Sequence, residues 1–258
     1  GISYFEPRGI NGKNISELTL FEAKQLKETM DKYGIKVSSI GSPIGKIKIT
    51  DDFDEHLKLF EHVIEIAKIL DTKYIRVFSF FIPKGEDPAK YRDEVLRRMN
   101  KMAETAEAAG VIILHENEKD IYGDVASRCK DIFDNVQSPA LRGVFDPANF
   151  VQCGQVTYPD AFELLKPHIV YMHIKDAFFE DGRIVPAGYG EGHVKEILSD
   201  LAAENYNGFV SLEPHLGVFG GLEKLELDDS MLQLEKSDAG KFTMAYKALE
   251  KILDEVNK

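Results

Sequence analysis

Val111-Ile112-Ile113-Leu114-His115-Glu116 is a short run of mostly β-branched apolar residues that follows Gly110 and ends on an acidic side chain. Runs of this length bounded by turn residues read as strands buried on both faces, as in a parallel sheet. Working outward, the same figure recurs downstream in Leu141-Arg142-Gly143-Val144-Phe145-Asp146, Ile169-Val170-Tyr171-Met172-His173 and Phe209-Val210-Ser211-Leu212-Glu213. Upstream, Ile2–Glu6, Lys36–Gly41 and Tyr74–Phe80 read as three more strands. Between the strands, apolar residues at helical spacing predict helices over Leu20–Tyr33, Asp54–Leu70, Pro88–Ala109, Tyr158–Leu165, Val194–Asn205 and Phe242–Val256. Gly34 and Gly110 stand where two of these helices must turn back into a strand.

Strand and helix alternating in this way is the signature of βα units built on a parallel sheet. A chain of 258 residues has the usual size of one (β/α) barrel. The expectation is a single TIM (β/α)-barrel domain over residues 1–258, with seven βα units visible. The sequence begins almost directly inside a strand, so the first unit is expected to be missing and the four runs quoted first become the fifth to eighth strands. Two stretches exceed an ordinary connection, Ile174–Gly192 and Pro214–Gly240, and both follow a strand that ends on a chemically active residue. Loops this long on the C-terminal side of barrel strands are expected to cover a site.

The four terminal side chains carry the functional reading. In such a barrel the C-terminal ends of the strands face one cavity. Glu116, Asp146, His173 and Glu213 are therefore expected to converge as a divalent-metal site. Taken singly, each has a plainer reading: a carboxylate at a strand end is often a helix N-cap, and a lone histidine is often a hydrogen-bonded core residue. Recurrence on four successive strands is what argues for a shared ion. Three carboxylates and an imidazole suit Mn²⁺, Mg²⁺ or Co²⁺, with Zn²⁺ possible although no thiolate is present to select it. Four protein ligands leave coordination open for adjacent carbonyl and hydroxyl oxygens of a sugar. The ion would then act as a Lewis acid on the enediolate formed when a carbon-bound proton leaves. Glu116 and Glu213 are the expected acid and base.

Those residues carry a family resemblance over most of the chain. His115-Glu116-Asn117, Phe145-Asp146-Pro147-Ala148-Asn149, His173-Ile174-Lys175-Asp176, Arg183-Ile184-Val185-Pro186-Ala187-Gly188 and Ser211-Leu212-Glu213-Pro214-His215 resemble the xylose isomerase-like TIM barrels, which comprise sugar isomerases and epimerases. The resemblance implies that Glu116, Asp146, His173 and Glu213 bind one Mn²⁺ or similar ion, as in ketose 3-epimerase-like members. It also implies that Glu116 and Glu213 double as the acid/base pair, and that Arg183, ahead of its Val-Pro turn, contacts substrate. Two departures are visible. A histidine is usual three residues after the aspartate, where this chain has Asn149, an amide able to hydrogen-bond a hydroxyl but not to titrate. The acidic residue usual shortly after the first glutamate has no clear match in Asn117-Glu118-Lys119-Asp120.

Other residues weigh less. Lys46, in the loop after Lys36–Gly41, reads either as an anchor for a substrate anion or as a solvated lysine. Arg76 reads as paired inside the barrel, and His115 as a structural residue facing the helices. Pro186–Gly192 reads as a flexible cover. Cys129 and Cys153 form no disulfide framework and read as reduced thiols of a cytoplasmic protein. A net charge of −12 argues against nucleic-acid or anionic-membrane partners, which need a basic footprint. The expected partner is a small sugar or sugar phosphate, and the oligomeric state, a homo-oligomer included, is not written in the sequence. The leading function is thus a metal-dependent sugar isomerase or epimerase. An inosose-type dehydratase on the same site is the alternative, ahead of an apurinic-site endonuclease-like hydrolase and a non-catalytic barrel.

Overall fold

Every strand expected from the sequence is present, each lying in or overlapping its run. In the computed structural model, which describes residues 2–217 and 238–256, these are β1 (Tyr4–Phe5), β2 (Lys36–Val37), β3 (Tyr74–Val77), β4 (Ile112–Glu116), β5 (Leu141–Phe145), β6 (Ile169–Ile174) and β7 (Phe209–Leu212). The helices are α1 (Leu20–Lys32), α2 (Phe53–Ile69), α3 (Arg92–Ala109), α4 (Ala126–Asn135), α5 (Pro147–Gln152), α6 (Phe162–Leu165), α7 (Val194–Ala203) and α8 (Ala239–Val256). Helices α4 and α5 were not among the expected elements. The pairs β1/β2, β3/β4, β5/β6 and β6/β7 are parallel, and the five-stranded sheet has the order β7-β6-β5-β4-β3. Two compact units divide the chain. The first comprises Gly1–Glu116, Asp120–Tyr122 and Asp131–Arg142, and the second comprises Asn117–Lys119, Gly123–Lys130 and Gly143–Lys258.

In the first unit the helices start and stop on local signals. Helix α1 opens with a capping box, in which the Thr19 hydroxyl accepts from the Glu22 N–H and the Glu22 carboxylate accepts from the Thr19 N–H. The Asp52 side chain caps α2 by accepting from the N–H groups of Asp54 and Glu55. Helix α2 then buries Phe60, Val63, Ile64, Ile66 and Ala67, while Leu57 and Ile69, which its spacing also puts on that stripe, stay half-buried. Each large apolar side chain so buried contributes about 1.5–3 kcal/mol before entropy is counted. Helix α3 ends at Gly110, whose φ of 74° needs a glycine, as expected. Ahead of α2, Gly45 turns with φ 89°, and a Cβ there would collide with the Phe78 carbonyl. Its N–H donates to His56 Nε2 at 2.7 Å, which ties this loop to α2.

In the second unit, β6 pairs with β5 through a register shift at Gly143/Val144, and with β7 so that His173 lies beside Ser211. Helix α7 buries Val194, Ile197, Leu198 and Leu201, and α8 buries Ala245, Leu249 and Ile252. The expected long connection after β6 has structure of its own: Asp176–Ala177 pairs antiparallel with Ile184–Val185. The expected loop Pro214–Gly240 falls mainly on residues 218–237, outside the described residues. Among the described residues no helix is long and apolar enough to cross a membrane.

Candidate metal centre

In the first unit the site begins with strand register. Arg76 pairs with Leu114, two residues before Glu116. Alternation then sends Arg76, Leu114 and Glu116 to the same face of the sheet. Arg76 Nη1 lies 3.2 Å from Glu116 Oε2, and both side chains are buried. Arg76 Nη2 also donates to the Ser42 carbonyl at 3.2 Å, and the guanidinium lies 4.9 Å from the Phe78 ring centroid. Arg76 is thus paired internally, as the sequence suggests. Lys46 Nζ stands 4.7 Å from the centroid of the same ring. His115, of opposite parity to Glu116, has Nε2 3.0 Å from Ser79 Oγ and meets the Phe133 ring of α4 edge-on. Burial pushes its pKa down to about 4, so it is neutral near pH 7.

The second unit supplies the other three residues. Asp146 ends β5 and caps α5: its Oδ1 accepts from the Asn149 N–H at 3.0 Å, and Pro147 takes the first helical position. The plain N-cap reading is therefore true of one oxygen, while Oδ2 faces Lys175 Nζ at 2.8 Å. Asn117 clamps the Asp146 backbone at two points, accepting from its N–H and donating to its carbonyl, each at 2.9 Å. Asn149 donates its own amide N–H to the Asn117 carbonyl at 2.9 Å. His173 Nδ1 lies 3.3 Å from Glu213 Oε1. With Ser211 beside His173 in the ladder, Glu213 falls beside Lys175, and Lys175 Nζ donates to Glu213 Oε2 at 3.3 Å. His215 Nε2 is 3.8 Å from that same oxygen.

One ligand atom from each of Glu116, Asp146, His173 and Glu213 lies within 4.8 Å of all the others, and all four residues are buried. Three carboxylates and an imidazole gathered so closely are a donor set that fits one divalent cation of the hard or borderline kind. Asp146 presents a single oxygen, because the other is held by the α5 cap. Of the remaining expected site residues, Asn149 is engaged with Asn117 and Lys46 stacks on Phe78. Arg183 is largely exposed, 3.5 Å from Asp181 and stacked on Phe178 at 5.0 Å.

Two buried residues escaped the sequence reading. Lys175 shares the parity of His173, and that alone could have placed it beside Glu213. Asp176 accepts N–H bonds from Ala177, Gly188, Gly190 and Gly192 at 2.8–3.1 Å. The Pro186–Gly192 segment, read as a flexible cover, instead wraps an internal anion. Cβ atoms at Gly190 or Gly192 would collide with the Asp176 carboxylate. Burial raises the Asp176 pKa, and the four N–H groups act against that rise.

The profile of the xylose isomerase-like TIM barrel family matches residues 1–231, and the chain belongs to that family. No curated protein matches the chain by sequence. Solved structures share the fold at low identity. A D-tagatose 3-epimerase-like protein superposes with a TM-score of 0.72 at 20% identity, covering 93% of this chain and 85% of its own. The probable 3-DHS dehydratase AsbF from Bacillus anthracis gives 0.71 at 17% identity, covering 98% of this chain and 89% of its own. The IOLI protein, solved with a bound zinc atom, gives 0.71 at 17% identity over 98% of this chain and 89% of its own. At such identities the likeness establishes the fold alone, here the xylose isomerase-like TIM barrel.

Proposed function

We propose that this protein is a divalent-metal-dependent sugar isomerase or epimerase. The observation that carries the reading is the buried cluster of Glu116, Asp146, His173 and Glu213 with mutually close ligand atoms. These four residues would hold the ion, Mn²⁺ first and Mg²⁺, Co²⁺ or Zn²⁺ as alternatives. The bound ion would supply Lewis-acid polarisation of neighbouring carbonyl and hydroxyl oxygens of a small sugar or sugar phosphate. Glu116 and Glu213 serve as the proton-transfer pair, one taking the proton beside the carbonyl and the other returning it. Arg76 holds Glu116 through its carboxylate, and His173 and Lys175 hold Glu213, so both bases are fixed before substrate arrives. Asn149, Lys46 and Arg183 are assigned to substrate contacts. We place the protein in the cytoplasm as a one-domain enzyme without nucleic-acid or membrane partners.

The test is metal analysis of the purified protein, followed by incubation with a panel of ketoses and their phosphates in D₂O. Deuterium entering the carbon beside the carbonyl, with product of unchanged composition, is the expected result. A product that has lost water would assign a dehydratase instead. A metal-loaded protein that exchanges no carbon-bound proton across the panel would sink the proposal.

A further inference from the structure

Lys175 reaches two of the four candidate ligands at once and has itself no ligand or base role. Its side chain is 4% exposed, and its ammonium lies 2.8 Å from Asp146 Oδ2 and 3.3 Å from Glu213 Oε2. Those carboxylates belong to the set that would hold a divalent ion. We infer that Lys175 is a built-in counter-cation that competes with the ion for Asp146 and Glu213, and so sets how tightly the site holds its metal.

Two effects of opposite sign decide the outcome. Lys175 could strengthen metal binding by ordering the two carboxylates in advance. Both, however, have other supports. Asp146 Oδ1 is fixed by the Asn149 N–H, its backbone is clamped by Asn117, and Glu213 Oε1 faces His173. Ordering therefore survives without the lysine. The competing effect has no such substitute. A fixed positive charge within hydrogen-bond reach of two ligand oxygens must either yield them or stay beside a doubly charged ion, and either outcome costs binding free energy where water screens little. Competition is the larger effect. The lysine also has a role when the ion leaves, since buried carboxylates in close contact need a compensating charge.

This inference rests on the proposed metal site, and the experiment separates the two. Wild type, Lys175→Met and Lys175→Arg are stripped with chelator. Mn²⁺ and Zn²⁺ are then titrated calorimetrically, and thermal unfolding is followed with and without the ions. Lys175→Met should bind the ion at least about tenfold more tightly than wild type. It should unfold at a lower temperature when stripped, and should gain more than wild type from added metal. Lys175→Arg keeps the charge and should not bind more tightly than wild type. If Lys175→Met binds metal no more tightly than wild type, the competition is refuted. Should that variant be too unstable to titrate, its metal-induced rise in unfolding temperature decides, and a rise no larger than wild type's overturns the inference. Wild type that binds neither ion would instead remove the metal site itself.

Discussion

His56 offers the sharpest test of how burial shapes this protein. It lies in α2, 8% exposed, and its Nε2 accepts the Gly45 N–H at 2.7 Å. That contact needs a lone pair, so the ring must be neutral. Burial, reinforced by the Arg98 charge and only partly opposed by Asp51, pushes its pKa from 6.5 down to about 4. A folded pKa below the unfolded one means that the unfolded chain takes the proton first. Stability from this residue is therefore complete above about pH 6.5, erodes as pH falls, and levels off below about pH 4. At about 1.4 kcal/mol per pH unit, the full shift amounts to roughly 3 kcal/mol. About 2 kcal/mol of it is lost between pH 6.5 and pH 5. The perturbation is His56→Gln, whose amide oxygen can accept the same N–H without titrating. Urea unfolding of both proteins across that pH range gives the comparison. Wild type should lose about 2 kcal/mol more than the variant, whatever the remaining groups contribute. Parallel pH dependences for the two proteins would refute the reasoning, because they would mean that His56 is not held neutral by the fold.

Three further outcomes follow from the centre and its loop. Glu213→Gln should lower kcat by about 10²–10⁴-fold while part of the metal affinity remains, and a normal turnover would remove Glu213 from the acid/base pair. His173→Ala should weaken metal binding by about a hundredfold or more. Its urea midpoint should move far less, and the reverse pattern would make His173 a packing residue. Asp176→Asn replaces an anion that accepts four N–H bonds with a neutral amide. It should destabilise the protein by about 2–3 kcal/mol and speed proteolytic cleavage near the exposed Tyr189, and unchanged cleavage would count against the anchoring role.

The central strands were legible because buried parallel strands write themselves as apolar runs, and the candidate site was legible because four of those runs end on Glu116, Asp146, His173 and Glu213. The metal cluster follows from that coincidence. Helix α4 was missed because Ala126–Asn135 carries few apolar residues among charged ones and follows the turn-like Tyr122-Gly123-Asp124. Helix α5 was hidden because Asp146 has two duties, ending a strand and capping a helix. Counting residues along one strand finds His173 but not what stands beside it. Lys175 beside Glu213, and Arg76 near Glu116, appear only when the ladders β6/β7 and β3/β4 are put in register. The Gly188, Gly190 and Gly192 spacing was visible, but its purpose was not. The anion it receives is Asp176, placed a dozen or more residues earlier by a hairpin that no local pattern announces.

That arrangement has an evolutionary corollary. Because Asp176 grips peptide N–H groups, the course of the Pro186–Gly192 segment depends little on which side chains decorate it. Tyr189, which is exposed, can then be exchanged without unmooring the backbone. A lineage keeping the aspartate and its glycines would retain one backbone course while the exposed side chain at position 189 varies.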